Sequence, residues 1–118
     1  MLVQNGYIVG APTYLPVGEL AINRPLSGEL PRPEYPERLA TRAAERWHGR
    51  ASVSLMFAET HADAGDSTCC AGMLADAVLS AAHARLAERR EWVLNEKRLV
   101  ARAGLADVQP LLAAPGAT

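Results

Sequence analysis

Three shortages limit what this chain can be. It has two cysteines, and they are neighbours, Cys69 and Cys70. Successive side chains on a helix diverge by roughly 100°, so two adjacent cysteines there cannot close an ordinary disulfide, and a reducing compartment is the simplest reading. The longest apolar runs fall far short of a membrane span, and residues 1 to 20 lack a basic leader followed by a continuous apolar region. A soluble, cytoplasmic protein with no membrane partner is expected. Excess charge is missing too: Lys and Arg total 12 against 13 Asp and Glu, a net charge of -1. Affinity for polyanions comes from basic residues set against phosphates, so this balance argues against nucleic acid as a partner.

What is present has an ordinary globular composition, 49% hydrophobic and 21% charged over 118 residues. Such a length predicts one domain able to bury about two thirds of its unfolded surface. Residues 1–30 differ from the rest. Charges are sparse there, and Tyr7 to Val9 and Thr13 to Leu15 read as short strands broken by Gly10, Pro12 and Pro16. Two strands are not stable alone, so they pack on the helices or are the remnant of a missing α/β domain. Four prolines between Pro25 and Pro36 mark an extended connection and the best boundary in the chain. Residues 31–118 then read as a helical bundle domain. The fold class expected is mainly α, four to five helices with two or three short N-terminal β-strands.

Within the bundle, a first helix is expected from Pro36 to Trp47, with Leu39, Ala43 and Trp47 on one face and His48-Gly49 as its stop. A second, from Ala51 to Ala64, is apolar on two sides (Ala51, Leu55, Ala58 and Ala62; Val53, Phe57 and Ala64) and so is expected between neighbours, with Gly65 closing it. Asp66 is a good N-cap for a long helix from Ser67 to Arg90. Cys70, Met73, Leu74 and Ala77 lie on one face of that helix, and Ala75, Leu79, Ala82 and Leu86 on another. Only Asp76, Ser80 and His83 remain as a polar stripe, so the helix should be central. Asn95 can cap a helix from Glu96 to Arg102, Gly104 is a stop, and a last helix runs from Leu105 to Ala113, restarted near Pro110. Pro115 to Thr118 reads as a disordered tail.

Several clusters could carry chemistry. Cys69 lies near a helix start, where a thiol pKa falls, but His83 is fourteen residues later, roughly 21 Å along the axis, so the two cannot act as nucleophile and base. A zinc site from Cys69, Cys70, His61 and His83 lacks the paired ligand spacing that zinc needs. Arg42 and His48 fit the loose pattern of helical ribonucleases, yet His48 reads more simply as a helix-terminal residue facing the dipole. Ser52, Glu59 and Asp63 form a polar stripe, ordinarily a solvated face; Glu59 is retained because the helix is otherwise apolar on two sides. The densest cluster is Trp92, Asn95, Glu96 and Lys97, an aromatic plane, an amide, a carboxylate and the lone lysine at a helix break. Its plain reading is a capped helix start with Trp92 as a core anchor.

The order of these segments carries a resemblance: Tyr7 to Leu20, then Leu30 to Glu34, a helical pair, and Arg90 to Lys97. It is similar to the C-terminal part of actinobacterial nucleotidyltransferase-domain proteins, relatives of the kanamycin-type nucleotidyltransferases. Leu94 to Lys97 resembles the Leu-Asn-x-[Lys/Arg] element of their helical substrate domain. The resemblance implies transfer of a nucleotidyl group from an NTP to a hydroxyl of a small-molecule acceptor, with Mg²⁺ held by an Asp-x-Asp pair. This chain has no Asp-x-Asp and no Gly-Ser near its start. The expectation is thus a substrate-side helical domain, inactive alone and completed by a catalytic nucleotidyltransferase domain that supplies the Mg²⁺ and NTP site. Glu59, Trp92, Asn95, Glu96 and Lys97 are the candidates for substrate binding. The alternative is a non-catalytic helical module that pairs with itself or with a catalytic subunit.

Overall fold

A computed structural model describes residues 7–8, 11–12, 15–22 and 28–113. It is mainly helical. Among the described residues five helices follow one another: α1 (Leu15–Ala21), α2 (Glu37–Asp63), α3 (Ser67–Glu88), α4 (Leu99–Arg102) and α5 (Gln109–Ala113), with a 3-10 turn at Ala106–Val108. Of the first expected strand, Tyr7 and Ile8 lie among the described residues, and they pair antiparallel with Ala11–Pro12, a dipeptide expected as a break and not as a strand. Val9, Thr13 and Tyr14 lie outside them, as does the tail from Pro115 to Thr118. Leu15 opens a helix instead of ending a strand. Pro16 falls in the first turn of α1, where its missing N–H costs nothing.

The two helices expected on either side of His48-Gly49 are one helix of 27 residues, roughly 40 Å long. A glycine in a helix interior costs only about 1 kcal/mol relative to alanine, and a continuous buried stripe outweighs it. That stripe is Leu39, Ala43, Trp47, Ala51, Ser54 and Ala58, at the three- and four-residue steps of one helical face. Gly49 lies on the opposite side, with open space around it. The helix ends where expected. Gly65 takes a left-handed backbone (φ +75), and the amides of Gly65 and Asp66 return to the carbonyls of Ala62 and His61.

Three residues later the chain reverses into α3, whose N-cap is Asp66 as the sequence indicated; its carboxylate accepts from the amide of Cys69 at 3.0 Å. The helix stops at Glu88, two residues before the expected Arg90. Arg90 itself adopts the left-handed conformation (φ 56), which lets the amides of Arg90 and Glu91 reach the carbonyls of Ala87 and Leu86. α2 and α3 form an antiparallel hairpin, joined along its length by the pairs Glu37–Arg90, His48–Glu88 and Arg50–Asp76.

Beyond α3, the chain folds back over one end of the hairpin. Val93, Leu99 and Ala103 pack with Ala82 and Leu86 in one buried cluster. A second cluster holds Leu39, Ala43, Ala44 and Trp47 against Ala84 and Ala87, with Tyr35 and Trp92 on its edge. α1 reaches this same end. A Cβ on its buried Gly18 would stand 3.0 Å from Trp92 Cε3 and 3.1 Å from Leu94 Cδ2, a close approach at which a side chain would need these neighbours to give by a few tenths of an ångström. Asn95 does not cap a helix beginning at Glu96. Its Oδ1 accepts from the amide of Lys97 at 2.9 Å, a local turn, and α4 starts only at Leu99. Gly104 (φ +73) stops α4 as anticipated. The single helix expected over Leu105 to Ala113 is divided between the 3-10 turn and α5.

Candidate functional site

The polar stripe of α3 does not face water. Asp76, Ser80 and His83 turn toward α2, where Trp47, Arg50 and Ser54 meet them. The Arg50 guanidinium donates to both Asp76 oxygens, at 3.2 and 2.8 Å, and Ser54 Oγ donates to Oδ2 at 2.5 Å. The Arg50 fork and then the Ser54 hydroxyl hold the Asp76 carboxyl below its usual range, against the opposing effect of partial burial. About two turns further on, the His83 ring stacks on Trp47, centroids 4.0 Å apart and planes 9° from parallel. The Arg50 guanidinium carbon sits 5.7 Å from the Trp47 ring centre. His83 is only 5% exposed, and burial pushes its pKa down; the Glu96 carboxylate opposes that shift and Arg50 adds to it. Glu96 Oε1 is 3.6 Å from His83 Nε2, too far for a hydrogen bond to a neutral ring, and Nδ1 has no hydrogen-bond partner among the described residues.

Chemically, this seam holds a neutral imidazole, a fixed carboxylate and a guanidinium in line. It is filled by its own side chains: Trp47, Ser54, Ser80 and His83 are all buried. The arrangement orients the two helices and leaves no room for a substrate at its centre. A helical projection identifies the polar stripe, but only the partner helix decides whether it faces water.

The sequence-derived candidates are not gathered in one place. Asn95, Glu96 and Lys97 are exposed on the loop after α3. Trp92 is half-buried, tilted against Tyr35 with centroids 4.6 Å apart, and its carbonyl accepts from Arg102 at 3.0 Å. It acts as a core anchor. Glu59 is exposed near the other end of the hairpin, twelve residues along α2 from Trp47 and so roughly 18 Å away along the axis. Ser52, Glu59 and Asp63 line no cleft; all three are exposed. His48 is not helix-terminal but lies in the middle of α2, exposed, with Nε2 2.7 Å from Glu88 Oε1.

At the hairpin turn, His61, Asp66 and Cys69 bring one metal-ligand atom each within 4.8 Å of one another. Antiparallel pairing around a three-residue turn produces this meeting, which linear ligand spacing does not reveal. Cys70 is buried on the helix and His83 lies far along it, so the four-ligand set considered from the sequence does not assemble. The Cys69 thiol, hydrogen-bonded to Asp66 and beside its charge, is pushed above the ordinary thiol range, so it is a poor nucleophile. The amide of Cys69 in turn holds the Asp66 carboxyl down.

One surface feature is not explained by the fold. The second apolar side of α2 is only half covered among the described residues: Val53, Met56 and Phe57 are 47%, 58% and 49% exposed. Projected at about 100° per residue, Gly49, Val53, Met56 and Thr60 fall within one outward sector, opposite Trp47, Ala51, Ser54 and Ala58. The expectation that this half of α2 is sandwiched is corrected: of the first side only Ala51 and Ala58 are buried, while Leu55, Ala62 and the second side's Val53 and Phe57 are exposed. No helix among the described residues is long and apolar enough to cross a membrane. No family model, no curated protein and no solved structure matches this chain.

Proposed function

We propose that this chain is a non-catalytic helical interaction module that docks through the outward face of α2. The observation that carries the reading is the exposed strip Val53, Met56 and Phe57 on a helix whose other side is already packed. Isolated exposed apolar residues are normal on a soluble protein, but several on one helical sector mark a contact surface. Full burial of such a side chain is worth roughly 1.5–3 kcal/mol, and these are already half-covered, so each adds roughly 1 kcal/mol on docking. Against the cost of association, three such contacts make a weak complex, and flanking polar contacts must supply the rest.

The test is a photo-crosslinking residue placed at position 56 in the intact chain and expressed in cells, with one at the exposed Asp107 as control. A discrete adduct at 56 that is missing at 107 is the expected result. Equal labelling at both positions, or none, overturns the docking reading.

The second reading keeps the chain as the substrate-side part of a nucleotidyltransferase completed by another domain. Its support is the loop on which Asn95, Glu96 and Lys97 stand exposed together, while Glu59 lies apart from them. Calorimetric titration with Mg-ATP tests this second reading. The isolated chain is expected not to bind, and tight metal-dependent nucleotide binding would contradict a reading in which the Asp-x-Asp pair comes from another domain.

A further inference from the structure

We infer that the partner of the α2 face is a second copy of this chain, with the two α2 helices lying antiparallel; this rests on the docking reading above. The argument comes from how charge is distributed along the exposed strip. The apolar middle of the strip, Gly49, Val53 and Met56, continues at the same alternating steps of four and three residues in both directions. Toward the N-terminus it reaches Arg46 and Arg42, toward the C-terminus Thr60 and Asp63, with Glu59 beside them. All of these residues are exposed. Steps of four and three are those by which one helix keeps a single seam against another.

The strip is thus basic at one end and acidic at the other. A parallel partner would set arginine on arginine and carboxylate on carboxylate. An antiparallel copy sets each basic end on an acidic end. One register satisfies several contacts together: with Arg42 opposite Asp63 of the second copy, Arg46 falls opposite Glu59 and Gly49 opposite Met56. The small residue accepts the large one, and the two-fold axis repeats every pairing. The axis passes between Ser52 and Val53. Glu45, on the same side of the helix, falls opposite Thr60 and meets no carboxylate. The flanking ion pairs provide what the apolar contacts alone do not, fixing orientation and register.

Light scattering on the full chain during size exclusion, at two ionic strengths, tests the inference. The wild type is expected at twice the chain mass. Arg42→Glu with Arg46→Glu should elute as a folded monomer with unchanged helical circular dichroism, and so should Glu59→Arg with Asp63→Arg. Mixing the two variants should restore a dimer that dissociates on the order of tenfold less readily than either variant alone, because each copy then meets its complement. A wild type that stays monomeric, variants that remain dimeric, or a mixture that does not pair overturns the inference. The two readings fail separately. An adduct at position 56 with a mass other than twice the chain, beside a monomeric wild type, removes self-pairing and leaves docking intact; no adduct at all removes both.

Discussion

The two ends of the α2–α3 hairpin are built from similar residues and have different surroundings. At the end where α2 begins and α3 finishes, α1 and the segment from Val93 to Leu105 supply further cover, and Trp47, Leu86 and Leu99 are buried. At the turn end no described residue provides that cover, and Val53, Met56 and Phe57 stand half in water. A pair of helices each apolar on more than one side needs a third layer. The chain supplies it at one end only, which makes the other end the place to look for a partner.

Leucine and valine truncations break this comparison most directly. Leu86→Ala removes a fully buried side chain and is expected to cost about 3 kcal/mol in denaturant unfolding, whereas Val53→Ala should change monomer stability by less than about 0.5 kcal/mol. Equal costs would mean the turn end is covered after all. Asp76→Ala, at the middle of the seam, strips Arg50 and Ser54 of their acceptor and should cost about 2 kcal/mol by the same measurement. A neutral outcome would show that the seam only accompanies the packing.

Gly49 lies where the closed half gives way to the open one, in open space on the outer side of α2. Gly49→Ala should raise stability by about 1 kcal/mol at dilutions where the chain is monomeric, since the helix gains propensity and meets no obstacle. A loss would mean that something covers this position.

The smallest effect is a slope. Burial depresses the His83 pKa, so the folded chain keeps a neutral imidazole while the unfolded chain takes up a proton near its ordinary 6.5. The stability it contributes is complete above that value and is lost as pH falls through it toward the folded pKa. Tm should therefore decline between about pH 7 and pH 5, and His83→Leu should flatten the decline without affecting the steeper loss at lower pH, where Asp76 takes up its proton. An unchanged slope in the variant would place the titration elsewhere.

Much of the hairpin was legible because its signals are local. Asp66 as cap and Gly65 and Gly104 as stops each act within a few residues of themselves, and all three stand where the sequence put them. What was misread depends on distant contacts. His48-Gly49 has the composition of a helix end, yet the stripe from Leu39 to Ala58 carries the helix through, because packing along its whole length exceeds one glycine's cost. Arg90 has no glycine signature but serves as a left-handed stop, and helix-wheel reasoning placed His83 on a polar side without knowing that Trp47 would cover it. The candidate site fared similarly. Trp92, a candidate for substrate binding whose plain alternative was a core anchor, is half-buried against Tyr35, and Glu59 is separated from Asn95, Glu96 and Lys97 by the length of the fused helix.

The arginines beneath the closed end have a consequence for how salt acts on this protein. Arg85, Arg89 and Arg102 donate not to carboxylates but to backbone carbonyls, of Ala103, Arg102 and Trp92, at 3.1, 3.1 and 3.0 Å. Dissolved ions screen a contact between a charge and a dipole far less than one between two exposed charges. These three contacts should therefore be nearly indifferent to ionic strength, while a pairing through Arg42, Arg46, Glu59 and Asp63 should weaken steadily as salt rises. Salt would then separate the copies and leave each one folded.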